Sequence, residues 1–514
     1  MEPYTWQAED IRVLQSHGFT GLLGLEPGAG KTLEACASVA IADPGTTLII
    51  APSSTIETPT SAWPKTMAAF DREVRLIGNR NKATMSALFD FQLGVPGVYA
   101  TTPQFMTRKS TDTTGWSGDM LISDESHQLT TAKTTGQKKW SGYDHHDAPL
   151  SQRFDARLAL SGTFFRQGFA NAWATMRFLW PDLDSRDEVA YSNFYRWQQD
   201  RMNSKQVVIG ADWFPVVPGQ PIPEGAWKKT IDGVLHYSVT KSTTQYTEEK
   251  TPGLLISQMP CVIQHFRRSN CCEYHPNGFL NTDAPQIVDI NVHLTNRQLK
   301  QIHELEDHLM TWIDGNPLVV DLTMIQKYRI RQLCLGEAYV DYYEGVDSSG
   351  DPVEKSRLEF SDDCVSPFSE AAFDILETLP KGEPVVIYME SQRFAHALTV
   401  KLNRKGFTAQ EYSGKTKADL NKLGVDYQVL VGVISALGSG TDGLQERCHT
   451  EIVMETPISI TNQEQVQARL DRLGGQQVQR YVIHDDTGYS EGRYSALLQK
   501  KLSVAASMRR HVVS

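Results

Sequence analysis

The chain has 514 residues, which is too long for one hydrophobic core, and its 40% hydrophobic and 22% charged content is ordinary for a globular protein. A net charge of −11 excludes a generally basic surface, although a local basic cleft can still bind phosphates. No run approaches the roughly 20 apolar residues of a membrane helix, and the N-terminus lacks the features of a signal peptide. The seven cysteines follow no disulfide pattern. We therefore expect a cytoplasmic protein of two or more domains with no membrane partner.

Short apolar runs that end in polar clusters recur along the first part of the chain. They are TGLLGLE, TTLIIAP, GVYATTP, DMLISDE and RLALSGT, and each is typical of a buried strand. Helix-length segments separate them, which indicates a parallel sheet with crossover helices. The pattern returns in PVVIYME, YQVLVGVIS, TEIVMET and QRYVIHD. The sequence therefore predicts an α/β fold with two parallel sheets.

A glycine-rich turn follows the first of these strands in GLEPGAGKTLEACASVAI. The backbone N–H groups of Gly28, Ala29 and Gly30 can face a phosphate at the start of the next helix, where the helix dipole favours anions. Lys31 would then reach the β- and γ-phosphates, and the Thr32 hydroxyl would bind Mg²⁺. The alternative is a helix start that is capped by a tight glycine turn, but the preceding strand and the following helix favour a nucleotide site.

A second acidic motif follows downstream in GDMLISDESH. An apolar strand that ends in adjacent acids can place Asp124 on Mg²⁺ and Glu125 beside the attacking water. A strand followed by an ordinary acidic turn is the alternative. The combination with an upstream phosphate loop favours a hydrolytic site.

At DESH the pattern resembles superfamily 2 helicases and translocases, in which a D-E-x-H motif follows the phosphate loop. Their loop often begins with a residue other than glycine, so LEPGAGKT, with Leu25 and Pro27, resembles their DEMGLGKT form. The resemblance implies two RecA-like lobes in tandem, with ATP and Mg²⁺ as cofactors in the cleft between them. It also implies that Pro27 belongs to the nucleotide-binding loop.

Other motifs of this superfamily follow in order. YTWQAEDIRVL resembles the N-terminal glutamine motif, in which Gln7 is expected to read the adenine edge. LIIAPSSTIETPTSAW resembles the strand–turn motif with a downstream Trp63, and YATTPQFM resembles the next motif. ALSGTFF matches the S-G-T motif that couples hydrolysis to movement, which implies this role for Ser161, Gly162 and Thr163.

The branch that the chain resembles is the Swi/Snf type. NAWATMRFLWPDL, FRRSNCC and APQIVDINVHLTNRQLKQI resemble its segments after S-G-T, between the lobes and at the start of the second lobe. NQEQVQARLDRLGGQQ resembles its Q-A-x-x-R-x-x-R-I-G-Q motif, with Leu473 for Ile and Gly475 for Gln. The resemblance implies that Arg469 and Arg472, which share one helical face, act as arginine fingers on the γ-phosphate. Gly443 aligns with a glycine of the nucleotide-facing G-G-x-G-L-N-L element.

The resemblance also implies a domain plan. We expect an N-terminal ATP-binding lobe over 1–260 with a partly helical insertion at 164–260, and an interlobe linker over 261–284. A C-terminal lobe over 285–514 with a helical insertion at about 296–375 would complete the chain. The absence of recognisable chromatin-reading segments favours a compact bacterial or viral enzyme.

Nucleic acid in this family lies across both lobes and is held mainly through phosphates, which implies binding that is independent of sequence and sensitive to salt. For each candidate contact an ordinary loop role is an equal alternative. The candidates are polar residues at strand ends: Ser53, Ser54, Thr101, Thr102, Ser391, Gln392, Ser413, Gly414 and Lys415. Further basic candidates are Arg267, Arg268, Lys327, Arg329 and Arg331.

One cluster raises the alternative of a zinc site. Cys261, Cys271, Cys272 and His275 lie close together in CVIQHFRRSNCCEYH. Structural zinc sites usually show paired C-x₂₋₄-C spacing, and adjacent cysteines suit one tetrahedral ion poorly. We therefore favour small buried side chains over a metal site.

These observations predict an ATP-dependent DNA motor that translocates on duplex DNA in replication, recombination or repair. We expect it to be a monomer when free, with no protein partner identified from sequence. The alternatives are a strand-separating 3′–5′ DNA or RNA helicase, a nucleotide-gated clamp on DNA or protein, and a remodeller that displaces bound proteins. An intact Glu125 and the arginine pair argue against a clamp that does not hydrolyse ATP.

Overall fold

The computed structural model describes residues 3–131, 134–142, 149–162, 170–181, 193–217, 221–222, 228–231, 234–268, 278–308, 310–319, 323–346, 352–437, 443–457, 460–472 and 474–488. Within these ranges two parallel sheets with flanking helices form two lobes, which confirms the predicted α/β fold class with two parallel sheets. The sequence predictions for Thr163, Cys271, Cys272, His275 and Leu473 lie outside the described residues.

The first sheet has seven parallel strands among the described residues, in the spatial order β10-β1-β6-β5-β2-β4-β3. Several of its strands are buried on both faces, which explains their near-continuous apolar runs. Because all strands run in parallel, the loops after β1, β2, β5 and β6 meet at one edge. The strands are β1 (Gly21–Leu25), β2 (Thr46–Ile50), β3 (Val74–Leu76), β4 (Gly97–Thr101), β5 (Gly118–Ser123), β6 (Phe154–Leu160) and β10 (Val262–His265).

Helices cover both faces of this sheet and form two cores. Leu22 of β1 packs in one core with four fully buried tryptophans, whereas Leu23 and Leu25 pack in the other with Trp63. This alternation is the period-two pattern of a strand. The helices are α1 (Thr5–Ser16), α2 (Lys31–Ala42), α3 (Ser53–Ile56), α4 (Ala62–Ala68), α5 (Lys82–Gln92), α6 (Pro103–Thr107) and α7 (Thr135–Ser141), with 3₁₀ turns at Ser126–Leu129 and Leu150–Arg153.

The segment between β6 and β10 contains both helices and strands. Its antiparallel strands pair in the order β7-β9-β8. These strands lie within the insertion that we predicted as partly helical for 164–260. The elements are α8 (Ala170–Leu179), α9 (Phe194–Arg201), β7 (Met202–Pro215), β8 (Lys228–Ile231), β9 (Val234–Glu249) and α10 (Leu254–Gln258).

The second sheet has six parallel strands among the described residues, in the order β11-β20-β19-β16-β18-β17. Its first and last strands in the chain are neighbours, because β11 pairs with β20 along its whole length. The strands are β11 (Gln286–Val292), β16 (Val385–Met389), β17 (Ala409–Tyr412), β18 (Val429–Val433), β19 (Thr450–Val453) and β20 (Gln479–Asp485). Its helices are α13 (Pro367–Thr378), α14 (Gln392–Arg404), α15 (Ile434–Leu437) and α16 (Ile460–Leu470), with 3₁₀ turns at Leu420–Lys422 and Leu444–Glu446.

The prediction of a helical insertion at about 296–375 was incomplete. Two antiparallel hairpins accompany its helices in the part of this segment that the structure describes. Alternating polar and apolar residues favour strands here over a continuous helix. The elements are α11 (Asn296–His308), β12 (Met310–Ile313), β13 (Asn316–Val319), α12 (Thr323–Leu335), β14 (Tyr339–Val346) and β15 (Pro352–Glu359).

Cys261 packs in the first lobe, directly before β10, and is buried beside Gly21. This matches the small-hydrophobe interpretation for that one cysteine, and no group of three metal-ligating side chains occurs among the described residues. The exact domain boundaries stay predictions, although β10 joins the first sheet beyond residue 260. No helix in the described ranges is long and apolar enough to cross a membrane.

We predict that Gly21→Ala destabilises the first lobe. A β-carbon at Gly21 would lie 2.8 Å from the sulfur of Cys261 and 3.0 Å from Leu14, so α1 or β10 would have to move. Overpacking of this kind costs about 1–3 kcal/mol and should lower the midpoint of thermal unfolding. Gly115→Ala is the matched control, because a β-carbon there has no neighbour within 4 Å. Equal midpoints for the two variants would contradict the prediction.

Candidate active site

The phosphate loop joins the end of β1 to the start of α2. Gly28 and Gly30 have φ angles of +95° and +86°, a left-handed conformation that glycine adopts without strain. The Lys31 ammonium group donates a hydrogen bond of 2.9 Å back to the carbonyl oxygen of Leu25. The lysine therefore lies across the loop, next to the backbone that would surround a phosphate.

Gln7 of α1 packs against the same loop and is buried. Its amide oxygen accepts a hydrogen bond from the Tyr4 N–H at 3.0 Å, and its amide nitrogen donates to the carbonyl oxygen of Ala29 at 3.3 Å. A β-carbon on Gly30 would lie 2.5 Å from this amide nitrogen. Gln7 thus braces the loop in the observed arrangement, and its predicted contact with adenine stays a prediction.

Glu34 lies in the first turn of α2, beneath the loop, and is fully buried. Burial first, and then the nearby Asp10 charge, raise the pKa of Glu34 well above its usual value. A raised pKa means that burial disfavours the ionised form of this carboxyl. The raised pKa of Glu34 therefore reduces the negative charge beneath the loop at a given pH.

The two acids after β5 occupy the centre of the cleft. Asp124 accepts a hydrogen bond from the indole N–H of Trp63 at 2.9 Å and another from the Glu125 N–H at 2.9 Å. Burial, followed by the charge of Glu125, raises the pKa of Asp124 to about 6. A divalent cation would favour the ionised form, so the carboxylate, together with the Thr32 hydroxyl, fits a Mg²⁺ site.

Sequence reasoning placed Trp63 in a motif but did not connect it with Asp124. The two residues lie 61 positions apart, and the indole is completely buried on α4. Such a fixed donor holds the carboxylate in one orientation, as partners of metal ligands commonly do. The signal in the sequence was only a tryptophan in a polar segment.

Glu125 has the left-handed φ angle of +46°, which is uncommon for a residue other than glycine and often marks functional sites. Nδ1 of His127 lies 3.2 Å from the Glu125 carboxylate and 3.0 Å from the Ser161 hydroxyl. Burial alone would raise the pKa of Glu125, but the His127 hydrogen bond and the positive charges of Lys31 and Arg469 outweigh it and lower the pKa to about 2. Glu125 is therefore ionised, as a group that orients water must be.

The S-G-T turn after β6 touches the phosphate loop directly. A β-carbon on Gly162 would lie 2.8 Å from the Pro27 side chain and 2.9 Å from the Leu25 carbonyl oxygen. Ser161 is fully buried and meets His127 on the other side of the turn. The structure therefore brings together the predicted loop, acid and coupling residues.

The second lobe contributes arginines to the same cleft. Nε of Arg472 lies 3.6 Å from the point that a β-carbon on Gly28 would occupy, and the charge of Arg469 acts on Glu125. Gly443 instead opens the 3₁₀ turn Leu444–Glu446, with a φ angle of +89°, in the second lobe. Its predicted role in binding nucleotide stays a prediction.

Several nucleic-acid candidates of the first lobe share one groove at the carboxyl edge of the sheet. Ser53, Thr101 and Thr102 line a cavity of about 190 Å³ together with Arg80 and Arg108. Sequence reasoning missed these two arginines, although Arg80 follows β3 and Arg108 directly follows α6. Ser54 is exposed on α3, next to Ser53.

Three predicted hydroxyl contacts stay predictions, and the structure shows these hydroxyls in local hydrogen bonds. Thr101 donates to the Ile77 carbonyl at 3.4 Å, Ser391 caps α14, and Ser413 accepts from the side chain of Gln392 at 3.2 Å. These hydrogen bonds hold the loops in which the neighbouring candidate residues lie. Gly414 and Lys415 are exposed beside them.

Three of the further basic candidates are paired within the protein, and their contact with nucleic acid stays a prediction. Arg331 is buried, where it pairs with Glu390 and donates to the Thr456 carbonyl at 2.7 Å. Arg267 and Arg268 both pair with the buried Asp471 of the second lobe. Their guanidinium groups are therefore engaged within the protein. Arg329 donates to the Ser356 carbonyl at 3.0 Å, and Lys327 is exposed.

Comparison with known proteins finds a family model that matches part of the chain. Residues 10–208 match the family model of the SNF2-related domain. Among solved structures, the chain is similar to the Sulfolobus solfataricus SWI2/SNF2 ATPase core in complex with dsDNA, with 15% identity, 99% of this chain and 96% of that chain covered, and a TM-score of 0.36. No curated protein matches the chain. The family match confirms the predicted Swi/Snf-type resemblance, whereas the bacterial or viral origin stays a prediction.

We predict that Trp63→Phe weakens the binding of Mg²⁺ at the site. Without the indole N–H, the Asp124 carboxylate loses its fixed donor, and the Mg²⁺ concentration for half-maximal ATP hydrolysis should rise about tenfold. Trp116→Phe is the matched control, because Trp116 is equally buried in the first lobe and its indole N–H has no hydrogen-bond partner. If both variants respond to Mg²⁺ in the same way, Trp63 does not act through Asp124.

Proposed function

We propose that this chain, whose first lobe is an SNF2-related domain over residues 10–208, is an ATP-dependent motor that moves along double-stranded DNA. One observation carries the proposal: the phosphate loop, the two acids and the two arginines of the second lobe meet in one cleft. ATP is the substrate and Mg²⁺ the cofactor that this set of side chains suits. We further propose that the motor acts in replication, recombination or repair.

Each side chain of the cleft has a distinct task in the proposed hydrolysis. Lys31 exchanges the Leu25 carbonyl for the β- and γ-phosphates, and the loop N–H groups bind the same anion. Thr32 and Asp124 would hold Mg²⁺, which supplies positive charge to the phosphates when it is bound. The ionised Glu125 orients the attacking water, and His127 fixes the direction of its carboxylate.

Arg469 and Arg472 supply the charge that the phosphoryl group needs in the transition state. Because they belong to the second lobe, hydrolysis requires that the lobes are closed on one another. Arginine suits this position because its planar guanidinium offers several donors in a fixed arrangement. A cycle of closure and release would then move the two lobes relative to each other along a strand.

The contact with DNA is supported by the groove of the first lobe. Arg80 and Arg108 line it together with Ser53 and Thr102, in a chain whose net charge is −11. Arg80 is exposed and paired with Glu57, so a phosphate would have to displace this carboxylate, which is accessible to water. Contacts of this type position a backbone and do not read bases. We therefore propose binding that is independent of sequence.

We predict that duplex DNA stimulates ATP hydrolysis more than single-stranded DNA or RNA does. Steady-state hydrolysis should be compared with each nucleic acid and with none, and translocation should be followed by displacement of a triplex strand. Glu125→Gln is the control, because it should still bind ATP but lose turnover by at least about 100-fold. Stimulation by RNA alone would overturn the DNA-motor proposal, and unwinding of a simple duplex would favour the strand-separating alternative.

We predict that Arg80→Ala and Arg108→Ala weaken binding to every DNA sequence equally. Each variant should also reduce the slope of log affinity against log salt concentration by about one, since one phosphate contact is lost. Arg72→Ala is the matched control, because Arg72 also pairs with a carboxylate but precedes β3 at the opposite edge of the sheet. An unchanged salt slope in Arg80→Ala and Arg108→Ala would remove the groove from the DNA path.

A further inference from the structure

We propose that Asp471 is a positioning residue, held by the linker arginines Arg267 and Arg268, which sets Arg469 and Arg472 against the phosphate loop. This inference rests on the proposed function, because it assigns the two arginines to ATP hydrolysis. It adds a mechanical role for the segment between the lobes. The three residues form one contact, which we call the linker clamp.

The linker side of the clamp is fixed to the first lobe. β10 is hydrogen-bonded to β1 and ends two residues before Arg267. The Arg267 backbone N–H then donates to the carboxylate of Glu26, in the phosphate loop, at 2.7 Å. The base of the clamp therefore moves with the loop that would bind phosphate.

The returning chain braces the same segment. The Phe279 N–H donates to the Phe266 carbonyl at 3.0 Å, and the Leu280 N–H donates to the Arg267 carbonyl at 3.0 Å. Gly278 makes this approach possible, because a β-carbon there would lie 2.2 Å from the Arg267 carbonyl oxygen, and its φ angle is +92°. Arg268 also donates to the Thr282 carbonyl. The arginine backbones are thus held from both sides.

The guanidinium groups of the clamp reach across the lobes to one carboxylate. Arg267 donates to one oxygen of Asp471 at 2.7 Å, and Arg268 donates to the other oxygen. Asp471 is only 2% exposed, so this carboxylate is shielded from water and the pairing is screened little by salt. Planar guanidinium groups that bind both oxygens also fix the orientation of the carboxylate.

The position of Asp471 in the chain links this contact to Arg469 and Arg472. Asp471 lies directly after α16, between Arg469 and Arg472, and its N–H still donates to the Gln467 carbonyl at 3.3 Å. The Arg472 N–H donates to the Leu470 carbonyl at 3.0 Å in the same turn. A fixed Asp471 therefore fixes the helix end from which both arginines extend.

An ordinary salt bridge between the lobes is the simpler interpretation of these contacts. It would hold the lobes together without any preference for the direction of the arginines. The two interpretations differ in what they predict for catalysis, because a misplaced arginine lowers kcat whereas ATP binding in the first lobe is little affected. The two interpretations also differ in whether the losses in kcat from substitutions at Asp471 and Arg472 are additive.

The test is Asp471→Asn in the full chain, with DNA-stimulated ATP hydrolysis as the readout. Displacement of a catalytic group by about 1 Å costs up to about 100-fold in rate, so we expect kcat to fall by about 10- to 100-fold while the KM for ATP changes by less than about threefold. Asp471→Glu should recover part of the rate. Asp362→Asn is the matched control, because it breaks an exposed ion pair with Arg404 in the same lobe.

A double variant separates positioning from general stability. Because Asp471 acts partly through Arg472, Asp471→Asn should cause a smaller loss in a chain that already carries Arg472→Ala than in the wild-type chain. Fully additive losses, or a kcat for Asp471→Asn equal to that of Asp362→Asn, would overturn the proposal. A wild-type chain without ATP hydrolysis on any nucleic acid would overturn the proposed function instead.

A distance measurement tests the clamp even without hydrolysis. Fluorescent labels at Leu93→Cys and Val425→Cys, which are exposed positions in the first and second lobes, report the separation of the lobes. Cys271→Ser and Cys272→Ser would limit labelling to these sites, since the other five cysteines are buried. Asp471→Asn should broaden the distance distribution and Asp362→Asn should not. Equal distributions in the two variants would overturn the clamp.

Discussion

The catalytic cleft depends on the close contact between the phosphate loop and the turn after β6. Gly162 allows this contact because a β-carbon there would press on the Leu25 carbonyl, the same group that holds Lys31. Ser161 lies next to it and meets His127, which in turn orients Glu125. One glycine therefore determines whether the phosphate-binding, water-orienting and coupling segments can form a single unit. Parallel strands bring these segments to one edge, but only the missing side chain lets them touch.

Three carboxyl groups of the cleft differ in the direction of their pKa shifts because their partners differ. Burial raises the pKa of Glu34 and of Asp124, and a neighbouring acid adds to the effect at each. At Glu125 the hydrogen bond from His127 and the surrounding positive charges exceed the cost of burial. The cleft thus contains two acids whose pKa values are raised, Glu34 and Asp124, and one whose pKa is lowered, Glu125. Composition alone does not distinguish these three roles.

Much of the fold and the cleft could be predicted from the sequence, because apolar runs and ordered motifs encode them locally. Buried parallel strands are read directly as apolar runs, as in β1 and β2. The direction of a side chain is not encoded in this way, and for that reason Ser391 and Ser413 were expected at a surface from which their hydroxyls turn away. Contacts between distant segments were also missed. Arg267 and Asp471 lie 204 positions apart, and nothing in either local sequence indicates the other.

The pairing of β11 with β20 has a consequence for the order in which the lobes form during synthesis. The first sheet is complete once His265 has been made, whereas the second sheet lacks the neighbour of its first strand until Gln479–Asp485 emerges. Domains of a nascent chain generally fold from the N-terminus onward. A partly made chain can therefore present a finished phosphate loop while its arginines are still unplaced. The residues of the two lobes that we propose to hydrolyse ATP can therefore come together only after β20 has been made.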